Sequence, residues 1–226
     1  MIKARFAFFI AVVALMVATP TMGQILNVPV LALGAGDGAT TIWGGYSRGL
    51  NDNSGKLDAI GAGVVRAMEQ VSFGVSAGLV LSDDVTGFPS SEIAFAARAA
   101  YHVINDSDSP LNVSVQGGAG WSKPDDDPND LTLLLFPVGI AISGSTSAGS
   151  LTLTPWIMPR VQFTRVGESG GIPSNTDTDF GGSAGVGFAT EGGFGFGVAG
   201  DILIVDDGLG GNDSVFLLAG YLTYTL

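Results

Sequence analysis

Long segments of this chain alternate between apolar residues and small or polar ones. In VSFGVSAGLVLS, Val71 to Ser82, the odd positions are apolar and almost every even position is serine or glycine. A period of two places successive side chains on opposite faces of a β-strand. Glycine accounts for 35 of the 226 residues, and glycine weakens helix interiors. The expected fold class is therefore all-β, built from strands with one apolar face.

The alternation predicts ten strands. Each is about as long as the 9–11 residues that a tilted membrane strand needs. The first and sixth segments alternate poorly, so eight or twelve strands are the alternative counts. The predicted strands lie near 39–50, 57–68, 71–82, 92–104, 111–122, 131–143, 151–165, 179–190, 194–205 and 214–226.

The connections between these segments alternate in length. Short turns are predicted at 69–70, 105–110, 144–149 and 191–193, and longer loops at 51–56, 83–91, 123–130, 167–178 and 206–213. Short turns on one side and long loops on the other are typical of a transmembrane β-barrel.

Aromatic residues are predicted to form two belts on the apolar faces, one near each end of the strands. Aromatic rings favour the two interfaces between a bilayer and water. The short-turn belt comprises Phe73, Tyr101, Phe188, Phe194 and Tyr224, and the long-loop belt comprises Phe95, Trp121, Phe163, Phe180 and Phe216.

The first 23 residues have the pattern of a signal peptide. Lys3 and Arg5 precede an apolar run from Phe6 to Ala18, and small residues follow before Gln24. A transmembrane anchor is the alternative, but it needs about 20 apolar residues. The predicted domains are thus a signal peptide at 1–23 and a barrel at 24–226, exported from the cytoplasm.

Charge and cysteine content exclude several classes of function. The formal net charge of −12 disfavours nucleic acid as a partner. With no cysteine and one histidine, the chain has no disulfide framework, thiol nucleophile or cysteine-based zinc site.

The last segment, VFLLAGYLTYTL, carries a resemblance to a known family. Phe216, Leu218, Leu222, Tyr224 and Leu226 share one parity, with Thr223 and Thr225 on the other. This pattern resembles the closing strand of bacterial outer-membrane β-barrel proteins, which typically end in an aromatic residue where this chain has Leu226. The resemblance implies a transmembrane up-and-down antiparallel β-barrel in the bacterial outer membrane. It also implies the barrel-assembly machinery, outer-membrane lipid and lipopolysaccharide as partners.

Nine polar residues are predicted to face the lumen. Buried charges need partners, so one interpretation is a salt-bridged plug in a narrow barrel, and the other is a polar path for a small solute. Ten strands leave little room, since wide aqueous channels have about 16–18. The nine are Asp58, Arg66, Glu92, Arg98, His102, Gln116, Arg160, Gln162 and Asp201.

Clustered aspartates are predicted in the long loops. Carboxylates are the oxygen ligands that calcium prefers, which makes Asp125, Asp126, Asp127 and Asp130 weak candidates for a Ca²⁺ site. The simpler interpretation is solvated loops without a cofactor. The other acidic positions are Asp83 and Asp84, Asp177 and Asp179, and Asp206, Asp207 and Asp213.

The chain is not expected to be an enzyme. Proteases of the omptin type are implied by the resemblance to use a histidine near the outer rim, whereas His102 precedes a predicted short turn. Its parity points into the barrel, away from any lipid substrate. No G-x-S-x-G motif or metal-binding histidine spacing is present.

Three prolines interrupt predicted strands. Proline cannot donate a ladder hydrogen bond, so Pro137, Pro155 and Pro159 are expected to form adjoining β-bulges.

Two functions remain for such a barrel: a structural or adhesive surface protein acting through its acidic loops, and a narrow pore for small solutes. A secreted soluble β-sandwich is the third alternative, because its strands would alternate in the same way.

Overall fold

The computed structural model describes residues 38–51, 57–81, 91–105, 111–124, 132–167, 174–206 and 212–226. These contain no helix long and apolar enough to cross a bilayer. The predicted signal peptide and most of the predicted acidic loops lie outside the described residues. The strands are β1 Thr40–Gly49, β2 Asp58–Ala67, β3 Val71–Leu81, β4 Ser91–Asn105, β5 Leu111–Pro124, β6 Leu133–Gly144, β7 Thr146–Ala148, β8 Leu151–Val166, β9 Asn175–Thr190, β10 Phe194–Asp206 and β11 Asn212–Thr225.

The strands form one closed antiparallel sheet. Strands that are neighbours in sequence pair with each other except for β6 and β7, which both pair with β8, and β1 pairs with β11. The short β7 continues β6 along β8 in the same register, since Ser143 pairs with Trp156 and Thr146 with Leu153. The wall therefore has ten strands, and the predicted up-and-down barrel is confirmed. The β-sandwich alternative is wrong, because there is no second sheet among the described strands.

The strands are strongly tilted. We can follow paired residues from strand to strand once around the wall. The path that starts at Thr40, the first residue of β1, ends at Ser214, near the start of β11. The carbonyl of Ser214 accepts a hydrogen bond from Asn51, which lies two residues beyond the last residue of β1. The path therefore returns to β1 at the opposite end of the strand from where it started. This stagger accompanies the closure of a sheet into a barrel.

The two ends of the barrel differ in the length of their connections. We call the end with connections 68–70, 106–110, 145–150 and 191–193 the short-turn end, and the opposite end the long-loop end. Gly149 (φ 64°) and Gly193 (φ 81°) adopt the left-handed conformation that tight turns require.

Between the two ends of the strands the exterior of the barrel is apolar, and the polar side chains at these heights face the interior. Ile157 and Leu222 are 53% and 57% exposed on the outside, whereas Gln162 is 6% exposed and faces inward. A water-soluble fold rarely exposes so continuous an apolar surface, while hydrocarbon accommodates it.

The exterior aromatic residues lie near the two ends of the strands, as predicted. Near the long-loop end, the rings of Phe95 and Trp121 stack with their centroids 5.7 Å apart. Near the short-turn end, Phe188 and Phe196 stack at 4.8 Å. Trp43 and Trp156 instead face the interior, where each is less than a tenth exposed.

The prediction of bulges at the prolines is wrong. Pairing of β8 with β9 runs unbroken through Pro155 and Pro159. The pairing between β5 and β6 is interrupted at Pro137, and the pairing between β6 and β8 is interrupted at Pro159. In both cases the register of the two strands is the same before and after the interruption. Each proline thus removes ladder bonds on one side only, because an extended strand can keep its register across one missing donor. The one register shift among the described pairings lies between His102 and Ile104.

The first and last strands of the barrel are joined at the long-loop end by Asn51. Its side-chain amide donates to the Ser214 carbonyl, and its Oδ1 accepts from the Phe216 amide at 3.2 Å. The Leu50 amide donates to the Phe216 carbonyl at 2.8 Å. These bonds extend the β1–β11 ladder beyond the end of β1.

Candidate functional site in the barrel interior

Seven of the nine predicted lumen residues lie on the inner face of the wall. They alternate with exposed apolar neighbours, and most are almost fully buried. They do not form one cluster but are spread over β4, β5, β8 and β10. These residues are Glu92, Arg98, His102, Gln116, Arg160, Gln162 and Asp201.

Asp58 and Arg66 face the exterior, so their assignment to the lumen is wrong. Both share a face of β2 with the exposed Ile60 and Val64. Asp58, at the long-loop end, accepts a hydrogen bond from the Tyr46 hydroxyl at 2.5 Å and lies 3.7 Å from Arg48. Arg66, at the short-turn end, donates to Thr40 at 2.7 Å. Each polar group thus lies near one end of the strands, where water is close.

The centre of the interior is held by an ion pair between Arg160 of β8 and Asp201 of β10. Two nitrogens of the guanidinium donate to the two carboxylate oxygens at 2.5 and 2.8 Å. Ser183 of β9, the intervening strand, donates to Asp201 and accepts from Arg160 at 3.1 Å. Both charged side chains are only 2% exposed. Such a two-pronged geometry fixes both partners, and here it ties together two strands that are not neighbours.

Large inward side chains lie directly across from glycines on the neighbouring strand. Trp43 pairs with Gly63, Trp156 with Gly185, Tyr221 with Gly197 and Arg98 with Gly118. A Cβ added to Gly63, Gly185 or Gly118 would come within 2.7–2.8 Å of the facing side chain. The missing side chains therefore make the space that the large ones fill.

One wall of the interior is apolar. Met158, Trp156, Ala141 and Ala199 form a buried cluster against which Tyr221 packs. The Arg160–Asp201 ion pair lies next to this cluster, on the side of the long-loop end. Together they fill the β8–β11 side of the lumen.

The opposite side of the interior carries a series of polar side chains beside a second buried apolar cluster, formed by Trp43, Ala94 and Ala96 with Val65 packed against it. The polar residues begin with Ser72 and His102 near the short-turn end, continue with Gln116 and Arg98, and reach Glu92 at the long-loop end. Oε1 of Glu92 and the hydroxyl of the neighbouring Ser122 are both buried on the inner face. This side of the interior thus places polar side chains at several heights between the two ends of the barrel.

His102 takes part in a chain of side-chain hydrogen bonds near the short-turn end. Its Nδ1 donates to Asn112 Oδ1 at 3.2 Å, which leaves Nε2 to accept from the Ser72 hydroxyl at 2.9 Å. Asn112 donates to Asn105 at 3.3 Å, and Asn105 donates to the Glu69 carbonyl in the turn at 2.6 Å.

This connectivity is that of a Ser-His-Asn catalytic triad, but its position is unlike that of an active site. The Ser72 side chain is 0% exposed and His102 is 2% exposed. A nucleophile must contact its substrate, so the chain of bonds is best explained as satisfying buried polar groups. Ser72 and Asn112 were not predicted as partners of His102, because the contact requires the register of three strands.

The predicted loop carboxylates have different positions. Asp177 and Asp179 lie in β9 rather than in a loop; Asp177 is exposed, and Asp179 is buried on the inner face. Asp213 is exposed at the start of β11. The weak Ca²⁺ candidates Asp125, Asp126, Asp127 and Asp130 lie outside the described residues. In the part of the chain that is described, no three His, Asp or Glu side chains are grouped to hold a metal ion.

The sequence matches no protein-family model and no curated protein. Solved structures that are similar include the outer membrane protease OmpT from Escherichia coli, with 13% identity over 84% of this chain and 97% of that chain and a TM-score of 0.44. The N-terminal β-barrel domain of Pseudomonas aeruginosa OprF is 12% identical over 84% and 98%, with a TM-score of 0.38. Ail, the attachment invasion locus protein of Yersinia pestis, is 12% identical over 84% and 99%, also with a TM-score of 0.38.

At these identities no residue role or activity carries over from the similar structures. The class of this barrel follows instead from its own closure, its ten tilted strands and an exterior that is apolar between the strand ends, with the mid-barrel charges of Arg160 and Asp201 inside. The chain has the fold of a bacterial outer-membrane β-barrel.

Proposed function

We propose that this protein is a non-enzymatic outer-membrane barrel with a closed interior and a structural or surface-interaction role. Its apolar exterior holds it in the bilayer, and its long loops carry the interaction. The observation that carries the proposal is the buried Arg160–Asp201 pair, which crosses the lumen side of β9 at mid-barrel. Removing one partner of a buried ion pair costs about 3–5 kcal/mol, so thermal motion seldom opens it.

The packing around the ion pair supports the same conclusion. Trp156, Met158 and Tyr221 fill the space beside it, and protein interiors packed in this way exclude water. A solute would have to displace both the aromatic cluster and the ion pair on this side.

The surface role is proposed for the long-loop end, which faces outward in a barrel of this topology. Asp177 and Asp213 are exposed there, and the sequence adds further aspartates in the intervening loops. Carboxylates of this density attract divalent cations and cationic partners. Adhesion through a cation bridge to surface lipopolysaccharide is the form of interaction that this chemistry favours.

Export and insertion complete the proposal. A signal peptide at 1–23 would direct the chain across the inner membrane. The outward row Phe216, Leu218, Leu222 and Tyr224 in β11 supplies the alternating pattern that the barrel-assembly machinery would recognise.

Single-channel recording in planar bilayers tests the closed interior. The unaltered protein is expected to give no current steps, whereas a variant carrying both Arg160→Ala and Asp201→Ala is expected to give small ones. Heat-modifiable migration in detergent gels must first show that both proteins are folded barrels. Steady conductance from the unaltered protein would contradict the proposal.

A narrow pore is the second candidate function, and the polar inward side chains of β3, β4 and β5 favour it. His102, Gln116, Arg98 and Glu92 lie along this side between the short-turn end and the long-loop end. In that case the unaltered barrel would conduct, and Gln116→Leu, halfway along the wall, would reduce the current. Arg98→Leu should then also shift the preference between cations and anions.

A further inference from the structure

Strand β6 has an interrupted hydrogen-bond ladder on both of its sides. Its pairing with β5 is missing at Pro137, and its pairing with β8 is missing at Pro159. A second interruption on the β8 side lies opposite Pro155, between the end of β6 and the start of β7. Two of the three interruptions therefore lie along the boundary between β6 and β8, which we call the β6–β8 seam.

The prolines remove donors from the ladder at the middle of the membrane. Because proline has no N–H, the Ile140 carbonyl loses its ladder donor at Pro159, and the Gly118 carbonyl loses its ladder donor at Pro137. In hydrocarbon no water is present to replace a missing ladder bond. The β6–β8 seam is therefore held by fewer hydrogen bonds than a continuous ladder of the same length would provide.

The side chains of β6 cannot replace the missing bonds. Every residue from Leu133 to Ile142 is apolar. At mid-strand the inward side chains are those of Pro137 and Ala141, with Gly139 between them, so this part of β6 fills little of the interior. Its outward side chains are large and face the bilayer. An outward displacement of β6 at this height therefore removes little packing from the interior.

The ion pair that closes the lumen does not hold β6. Arg160 bonds to Ser183 of β9 and to Asp201 of β10, and both of these strands lie on the other side of β8 from β6. A separation of β6 from β8 breaks none of these bonds. The closed interior of the proposed function and a seam that opens toward lipid are thus compatible.

An apolar part of the interior lies directly behind the β6–β8 seam. Met158 of β8 is 1% exposed, and its Cε would lie 3.0 Å from a Cβ added to Gly139 of β6, so this methyl group covers the inner side of the seam. Trp156 and Ala141 belong to the same buried cluster. Methionine side chains are flexible and adapt to different neighbours. A linear apolar chain that passed through the seam would contact Met158 first and Trp156 next.

We infer that the β6–β8 seam opens laterally and admits an acyl chain of a bilayer lipid, which contacts Met158 and Trp156 inside the wall. The inference rests on the proposed insertion in the outer membrane. On the outside the seam is flanked by Val138, Ile140 and Ile157, which are 47%, 49% and 53% exposed. These aliphatic side chains lie at mid-strand, where the surroundings of a membrane barrel are lipid acyl chains.

Quenching of tryptophan fluorescence by brominated acyl chains tests the inference in the full chain reconstituted into vesicles. Bromine quenches an indole only in close contact with it. The variant Trp43→Phe with Trp121→Phe keeps Trp156 as its one tryptophan and is expected to lose emission in lipid brominated at mid-chain. The matched control, Trp121→Phe with Trp156→Phe, keeps Trp43. The indoles of Trp43 and Trp156 are similarly buried, at 7% and 8% exposure, and Trp43 is expected to keep its emission.

A disulfide across the seam provides the second arm of the test. The chain has no cysteine, so Val138→Cys with Val161→Cys, a cross-strand pair, gives one bond that joins β6 to β8. Oxidation is expected to abolish the quenching of Trp156, and reduction is expected to restore it. Val64→Cys with Val75→Cys joins β2 to β3 in the same way and is expected to leave the quenching unchanged.

Restoring the missing donor provides the third arm. Pro159 is exposed on the outer face, so Pro159→Val adds an N–H without changing the interior. The added ladder bond is expected to slow amide hydrogen exchange at Ile140 and Ile142 roughly 2- to 10-fold, and to reduce the quenching of Trp156.

Several results would overturn the inference. They are equal quenching of Trp156 and Trp43, quenching of Trp156 that persists after the β6–β8 disulfide has formed, and unchanged exchange in Pro159→Val. A disulfide-linked dimer formed by Val138→Cys alone would instead assign the seam to a second copy of the chain.

Failure of the membrane proposal would give a different result. The variant Trp43→Phe with Trp156→Phe keeps the outward Trp121, which any inserted barrel exposes to brominated lipid. Heat-modifiable migration and co-flotation with vesicles are recorded for every sample. A chain that does not insert, and whose Trp121 is not quenched, contradicts the proposed function. An inserted barrel in which Trp121 is quenched and Trp156 is not contradicts only the lateral opening.

Discussion

Trp156 of β8 occupies the space in front of Gly185, its cross-strand partner in β9. A Cβ added to Gly185 would lie 2.7 Å from Cζ2 of the indole and 2.6 Å from the Val198 carbonyl oxygen. Gly185→Ala is therefore expected to destabilise the barrel by about 1–3 kcal/mol through overpacking.

The midpoint of urea unfolding in detergent measures this loss. Gly182→Ala is the matched control in the same strand, since Gly182 lies on the outer face and its added Cβ would make only ordinary contacts at 3.4 Å. Equal midpoints for the two variants would contradict the proposed role of Gly185.

Breaking the central ion pair from one side should be more harmful than replacing both partners. Asp201→Ala leaves a buried guanidinium uncompensated and is expected to cost about 3–5 kcal/mol. The double variant Arg160→Met and Asp201→Leu is expected to recover most of that loss, because apolar residues of similar volume need no partner.

Unfolding midpoints of the single and double variants check this prediction. The exposed Arg48–Asp58 pair provides the comparison, since Arg48→Met should cost about 1 kcal/mol or less. If the double variant were no more stable than Asp201→Ala, packing rather than charge would dominate at this position.

Asn51 should stabilise the junction of the first and last strands. Asn51→Ala removes the bonds to the Ser214 carbonyl and the Phe216 amide, at about 0.5–1.5 kcal/mol for each bond. The expected result is faster amide hydrogen exchange at Phe216 and Leu50 and a lower temperature of heat-modifiable migration. Asn175→Ala is the control, because the described bonds of Asn175 reach only the exposed Asp177 side chain, and it should leave both measurements unchanged.

The bonds of His102 should prove structural and not catalytic. A fluorophosphonate probe is expected to leave Ser72 unlabelled in the folded barrel, because that side chain is fully buried. His102→Ala is expected to lower stability by about 1–3 kcal/mol, since Ser72 and Asn112 each lose a partner. Labelling that requires both Ser72 and His102 would establish a reactive serine and contradict the prediction.

The architecture could be predicted from the sequence because most strands place apolar residues on one face over a full membrane thickness. In β3, Phe73, Val75 and Leu79 alternate with serine and glycine, so both the strand and its outer face are clear. In β2, small residues occupy both faces and Val64 and Val65 are adjacent. The pattern there does not specify the face, and Asp58 and Arg66 were consequently assigned to the lumen.

The partners of the interior residues could not be predicted from periodicity. Arg160 meets Asp201 because β8, β9 and β10 have a particular register, and alternation fixes the face of a residue but not its height. The same holds for His102, whose neighbour Val103 lies at the one described register shift. The predicted bulges at the prolines were wrong because a residue without an N–H donor removes hydrogen bonds from the ladder without changing the register of the strand.

The facing of large side chains and glycines has a consequence for how this barrel can change over generations. Trp43 with Gly63, Trp156 with Gly185 and Tyr221 with Gly197 each divide one fixed volume between two positions on adjoining strands. The side chain at one position of a pair can become larger only after the side chain at the other has become smaller. The two positions of each pair should therefore change together, and divergent homologues should conserve the summed side-chain volume of the pair while its division between the two strands varies.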